Sequence, residues 1–458
     1  MNSTPLLAGQ QSVAKSLRKL LRGIGLAAAC LLAPSAGAVM PNLSHDQTIG
    51  SVNCANSFCH GSITPWNESN VLQNEYTTWE RLDKHTQAYQ ILLNKQSKLI
   101  AKNLGLKKPA HESKVCLDCH AHNPAADQRG ERFVMSEGIG CEGCHGPAQR
   151  WIKSHTLDGN RHADNLEKGM YPTDSPVAQA KLCLSCHFGD QNRFVTHRIM
   201  GAGHPRISFE LETFTSLQPA HFRVDDDWHK RKGDYNPIKV WAIGQVIASQ
   251  QLLNIFTDPK LGRDGIFPEL VVFDCHACHH PMSQQKWTPR LGVGPGRIRL
   301  NDSNLLMLRA IVRVVDPANA ASFNRGVMQM HQAVSGNAEA EGLDAIGSAQ
   351  KVSASLDNYV NIINNSSFDL PQLKKVYLAL IDEAIDGQYS DYAGAEQAYM
   401  AISNLSLSLA NMGGLGSAPQ VNSQLATMRK TLSNDESYQP RIFAKQLADL
   451  KYTVSQAR

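Results

Sequence analysis

Four segments of this 458-residue chain repeat one pattern, two cysteines with two residues between them and a histidine directly after the second. They read Cys116-Leu117-Asp118-Cys119-His120, Cys141-Glu142-Gly143-Cys144-His145, Cys183-Leu184-Ser185-Cys186-His187 and Cys275-His276-Ala277-Cys278-His279. A fifth segment, Cys54-Ala55-Asn56-Ser57-Phe58-Cys59-His60, keeps the ending and widens the gap to four residues. Two thiols about one turn apart can add to the two vinyl groups on one edge of a haem, and the next histidine then lies under the iron and ligates it. A disulfide across so short a loop would be strained, and zinc knuckles do not require a histidine after every pair. The spacing therefore predicts five covalently attached haem c groups, held by Cys54, Cys59, Cys116, Cys119, Cys141, Cys144, Cys183, Cys186, Cys275 and Cys278. His60, His120, His145, His187 and His279 are the proximal iron ligands.

Five irons accept up to five further ligands, and 13 of the 18 histidines remain besides the five that end the motifs. His85 ends Trp79-Glu80-Arg81-Leu82-Asp83-Lys84-His85 on an expected helix. His155 follows the third site after a Gly146-Pro147 turn and a helical stretch. His197 and His204 follow the fourth site, with Gly203 and Pro205 shaping a loop around the latter. These four are the expected distal ligands. His111, His122, His276 and His280 stand beside attachment sites and compete for the fifth place; His280 cannot reach the iron that His279 already holds. His221 and His229 rank lower, and Met282 reads as packing. Arg193, Arg198, Arg206 and Lys153 are candidate partners for haem propionates, weighed against ordinary surface charges.

The elements that must position these groups fall into two parts. Seventeen histidines precede residue 281, all six tryptophans precede residue 288, and only His331 lies beyond. Residues 39–290 are expected to form a pentahaem domain of short helices and long connections, with porphyrins supplying much of its core. Residues 291–300 contain Leu291-Gly292-Val293-Gly294-Pro295-Gly296 and read as a linker. From 301 to 458 the pattern turns helical. Leu305, Leu306, Leu308, Ile311, Val312 and Val315 recur at helical spacing before Asp316-Pro317, and amphipathic runs follow near 341–364, 371–387, 392–411 and 437–456. The expected class is mainly α, a multihaem cytochrome c domain followed by a cofactor-free helical bundle.

Residues 1–38 combine a basic stretch (Lys15, Arg18, Lys19, Arg22), an apolar run from Gly23 to Ala33 and Ala36-Gly37-Ala38, the order of a secretory signal peptide. The run is shorter than the roughly 20 residues a membrane span needs. Cys30, inside it, would be removed with it. Export to the periplasm follows, with an extracellular or surface location as a variant, and the mature chain should carry no transmembrane segment. The leader's four basic residues account for the whole formal charge of +4. Five haems would then leave the oxidised protein at about −5, which argues against a nucleic-acid partner.

The stretch from Trp79 to His85, the segment Gly140-Cys141-Glu142-Gly143-Cys144-His145-Gly146-Pro147 running to His155, and the fourth site running into Gly203-His204-Pro205 resemble multihaem cytochromes related to hydroxylamine oxidoreductase and to the tetrahaem cytochrome that accepts its electrons. The resemblance covers about residues 50 to 210. It implies haems stacked in close parallel and perpendicular pairs, with His85 serving the third-site haem and His155 the first-site haem. The four-residue gap at the first site departs from that pattern and is similar to tetrahaem cytochromes of sulfate reducers. The fifth site and the helical C-terminus lie outside it. The leading function is a relay of single electrons between a redox donor and a redox acceptor, compatible with a place in an outer-membrane or extracellular complex. The alternative is an oxidoreductase acting on a small nitrogen or sulfur compound at one five-coordinate iron. Against it stand the absence of a Cys-x-x-Cys-Lys site, of a spare cysteine, and of an identifiable tyrosine for cross-linking to a catalytic haem.

Overall fold

The computed structural model describes residues 39–67, 69–279, 290, 293, 294, 297–336 and 344–455. The segment read as a signal peptide, Cys30, His280, Met282 and most of the stretch read as a linker lie outside the described residues. The structure is mainly helical, and the strands Arg263–Asp264 and Phe267–Pro268 form only a small antiparallel hairpin.

Among the described residues up to 235, no α-helix exceeds nine residues. The attachment motifs sit on these short pieces. Lys114–His120 and Cys141–His145 are single helices, and the fourth motif begins in Pro176–Leu184 and ends in one π-helical turn, Ser185–Gly189. Such widened turns often mark functional sites. The fifth motif lies on the 3-10 turn Cys275–Ala277, and Asp274 caps it by accepting from His276 N–H.

The helix Pro237–Thr257 begins the packed part. Asn236 accepts from Lys239 N–H at its start, Pro237 occupies the first turn, and 14 of its 21 residues are buried. Its apolar residues face all round because neighbours cover it on several sides, the fourth-site helix Pro176–Leu184 and Ala345–Asn364 among them. Seven helices follow, Ser303–Val315, Ala320–Val334, Ala345–Asn364, Leu370–Ile385, Tyr392–Asn411, Ala418–Thr431 and Pro440–Ser455. Asp344, Asp369 and Asp391 cap three of them. Ala320–Val334 and Ala418–Thr431 are additional to the runs read from the sequence. One apolar core links these helices to Pro237–Thr257 and reaches Leu184 of the fourth site. Arg299 and Leu300, at the end of the stretch read as linker, are fully buried. Leu300 bridges Phe273, and Asp274 N–H donates to the Arg299 carbonyl.

Candidate haem sites

Each attachment-site histidine has a second histidine ring facing it. The ring centres are 6.3 Å apart for His60 and His155, 6.4 Å for His120 and His204, 6.2 Å for His145 and His221, 6.0 Å for His187 and His85, and 6.1 Å for His279 and His197. Two imidazoles on one iron, with metal–nitrogen bonds of about 2 Å and about 1.1 Å more to each ring centre, stand about 6.2 Å apart. All five pairs have the separation that a shared iron requires.

Ring orientation supports the same use. In His120, His155 and His204 the Nδ1 nitrogen lies 3.0, 2.7 and 2.8 Å from the carbonyls of Ala88, Ile152 and Pro205. A carbonyl only accepts, so Nδ1 carries the proton and Nε2 keeps the lone pair a metal needs. His60 and His85 are set similarly by the carboxylates of Glu75 and Asp83, at 2.9 and 2.8 Å. Burial lowers His145 and His187 to about 4, so both are neutral at physiological pH. Asp83 works the other way on His85: its hydrogen bond raises the imidazole, while burial opposes it.

Three histidines beside the attachment motifs have other neighbours. His122 is buried, with Nε2 bonded to Thr48 Oγ1 at 3.0 Å. His111 packs edge-on against Tyr89, with Nε2 3.7 Å from Glu112. His276 Nδ1 accepts from the Tyr392 N–H. None of the three rings faces an attachment-site histidine. His221, ranked low from the sequence, does; it rests against Phe222, which stacks on Trp228. The only local hint was a histidine in a Pro219-Ala220-His221-Phe222 connection, with no helical spacing to mark it.

His85 corrects an expectation. The resemblance assigned it to the third site, and its backbone does run there, its carbonyl accepting from Ile139 N–H. The side chain is turned away by Asp83, which also accepts from Gln218, and its ring faces His187 of the fourth site.

The ten cysteines from Cys54 to Cys278 are unbridged. Their contacts order the sites. Cys54 lies near enough to Cys141 to have its thiol raised, and Cys119 is raised likewise by Cys186, which associates site one with three and two with four. Burial raises the Cys144 thiol, and the charge of Cys183 in the fourth site adds to the shift. A cavity lined by His187, Phe188, Phe194, Arg206, Cys275 and Glu396 joins sites four and five. Among the described residues no three His, Cys, Asp or Glu side chains converge as on a bare metal ion. The donors come as thiol pairs and ring pairs, which is the chemistry of a haem held by two thioethers and two imidazoles.

Two positioning devices were not read from the sequence. Glu142, inside the third motif, is buried and accepts from the N–H groups of Ile49, Gly50 and Ala148 at 2.7–2.9 Å, tying that site to the segment before the first. Burial still holds its carboxyl above the ordinary value. The fifth site is tied to the bundle by buried ion pairs. Arg299 meets Asp274 at 2.6 Å and Asp391 at 3.0 Å, and Arg290 bridges Asp391 to Asp302. Of the propionate candidates, Arg206 pairs with Glu396 at 2.9 Å and lies over the Tyr392 ring, and Arg198 reaches the Leu104 carbonyl.

Residues 53–146, spanning the first, second and third sites, match the family described as cytochrome c554 and c-prime. No curated protein and no solved structure matches the chain. At this level the chain is a multihaem c-type cytochrome, a class that binds haem c covalently and works in electron transfer. No helix among the described residues is long and apolar enough to cross a membrane.

Proposed function

We propose that the mature chain is an exported pentahaem cytochrome that relays electrons between a redox donor and a redox acceptor in the periplasm or at the cell surface. The observation that carries this reading is the set of five ring pairs. When bound, each haem supplies a one-electron ferric–ferrous couple; the protein supplies the rest. His60/His155, His120/His204, His145/His221, His187/His85 and His279/His197 would hold the five irons, two imidazoles to each. A relay needs no open position, because no substrate meets the metal.

The neighbour contacts favour a route from site one through three to four, with sites two and five both beside four. Residues 39–290 would carry the haems, and the helices from 301 onward would cover the fifth site. Both ligands of every pair belong to this chain, so ligation calls for no second copy. A catalytic oxidoreductase would need an attachment-site histidine with no ring opposite, and each of the five has one.

Carbon monoxide tests the proposal. The ferrous protein should form no rapid CO adduct, while His221→Ala should create about one reactive iron in five. Rapid CO binding by the unaltered protein would favour the enzyme.

A further inference from the structure

Arg193 takes no part in iron ligation, yet it joins two attachment motifs. It ends a tight turn after the fourth site. Gly189 adopts φ +116°, where a Cβ would stand 2.3 Å from the Phe194 Cβ. Asp190 Oδ1 then accepts from the N–H groups of Asn192 and Arg193. The turn folds the guanidinium back over the junction of sites two and four. One Nη donates to the Asp118 carbonyl, in the middle of the second motif. The other donates at 2.7 Å to Ser185 Oγ, in the middle of the fourth, and that hydroxyl donates onward to Leu182. Cys186 Sγ lies 3.9 Å from the same Asp118 carbonyl.

The side chain is 11% exposed, and its ion pair with Asp190 spans 4.0 Å. A permanent positive charge with so distant a counter-charge, in a low-dielectric setting, acts strongly on its neighbours. The planar fork also fixes direction, since both arms are used at once.

Building on the relay proposed above, we infer that Arg193 is a positioning residue: it clamps sites two and four as one redox pair and holds their haems at raised potential. Reduction places negative charge beside the guanidinium, so the cation favours the reduced state at both sites. Replacing it by a neutral residue removes that preference at those two alone.

The experiment is a potentiometric titration of purified holoprotein, followed by EPR, on Arg193→Gln, Arg193→Lys and Ser185→Ala. His204→Ala and His85→Ala each convert one iron of the pair to high spin and so mark its signal. Arg193→Gln should lower two of the five midpoint potentials, the marked pair, and leave three in place. Arg193→Lys should keep those potentials near the original but weaken the magnetic coupling between the two irons, since the charge remains and the fork is lost. Ser185→Ala removes one anchor and should give a smaller change of the same kind, which keeps the test open if Arg193→Gln fails to mature. Five unchanged potentials in Arg193→Gln, a uniform shift of all five, or unaltered coupling in both Arg193→Lys and Ser185→Ala would overturn the clamp. Haem content is measured first on the unaltered protein, so a chain without five low-spin haems would count against the relay and not against Arg193.

Discussion

The region before residue 235, which holds four of the five thiol-histidine motifs, and the helices after it reach order by different means. The apolar cluster wholly within the first comprises only Leu92, Ala101, Ala110, Leu117 and Ala121. Its short helices are instead fixed by ring pairs, adjoining cysteines, Glu142 and Arg193. The second has a continuous core in which Trp241, Leu305, Val327, Leu380 and Leu405 are fully buried, on helices of 13 to 21 residues. Hydrophobic burial is the main source of order in the second. The first has too little apolar side chain to order itself, and the faces of bound porphyrins are what would make up the difference.

The largest effect that could break this contrast comes from withholding haem. Produced in a host unable to attach it, the chain should lose amide protection across residues 40–235 while the helices from Ser303 to Ser455 keep theirs in hydrogen exchange. Uniform protection in both regions, or uniform loss, would remove the distinction.

The ion pairs that hold the fifth site to the helices after it come next. Arg299→Met leaves the buried carboxylates of Asp274 and Asp391 without that guanidinium, and breaking such a pair costs about 3–5 kcal/mol. Thermal unfolding should show that loss, and the fifth site, whose Cys275 follows Asp274, should be the first to lose haem. Loss spread evenly over all five sites would mean that the bundle has no special hold on the fifth.

The smallest effect concerns pH. Burial, and then the charge of Glu210, raises the Glu212 carboxyl from its ordinary 4.5 to about 8, and Tyr235 donates to it at 3.2 Å. A raised folded-state value means the carboxyl stays protonated in the fold while the unfolded chain has already ionised. Its stabilisation is complete below 4.5 and lost as pH rises toward 8. Denaturant titrations should therefore show the unaltered protein losing stability over that window relative to Glu212→Gln; parallel curves would contradict the assignment.

Chemistry that lies within a few neighbouring residues was legible in the sequence. The thiol-histidine segments identify themselves, and so do helices with dense apolar spacing, such as Ser303–Val315, which stops before Asp316-Pro317. Ala418–Thr431 was not read because Val421, Leu425 and Met428 are its only buried residues on a polar stretch. Pro237–Thr257 has a low contrast between faces, so periodicity said little about its place in the core. Pairing between rings was illegible for a stronger reason. His221 meets His145 from far along the chain, out of a connection without periodicity, and nothing local records that meeting. For His85, the partner was decided by the Asp83 hydrogen bond, which turns the ring away from the site its backbone borders.

The central claim is that five irons each sit between two histidines of one chain. EPR of the oxidised protein, quantified against covalent haem measured on the denatured chain, tests it most directly. The account predicts five haems per chain, all low-spin, with one turning high-spin in His221→Ala. A high-spin ferric signal in the unaltered protein, or fewer than five attached haems, would contradict it.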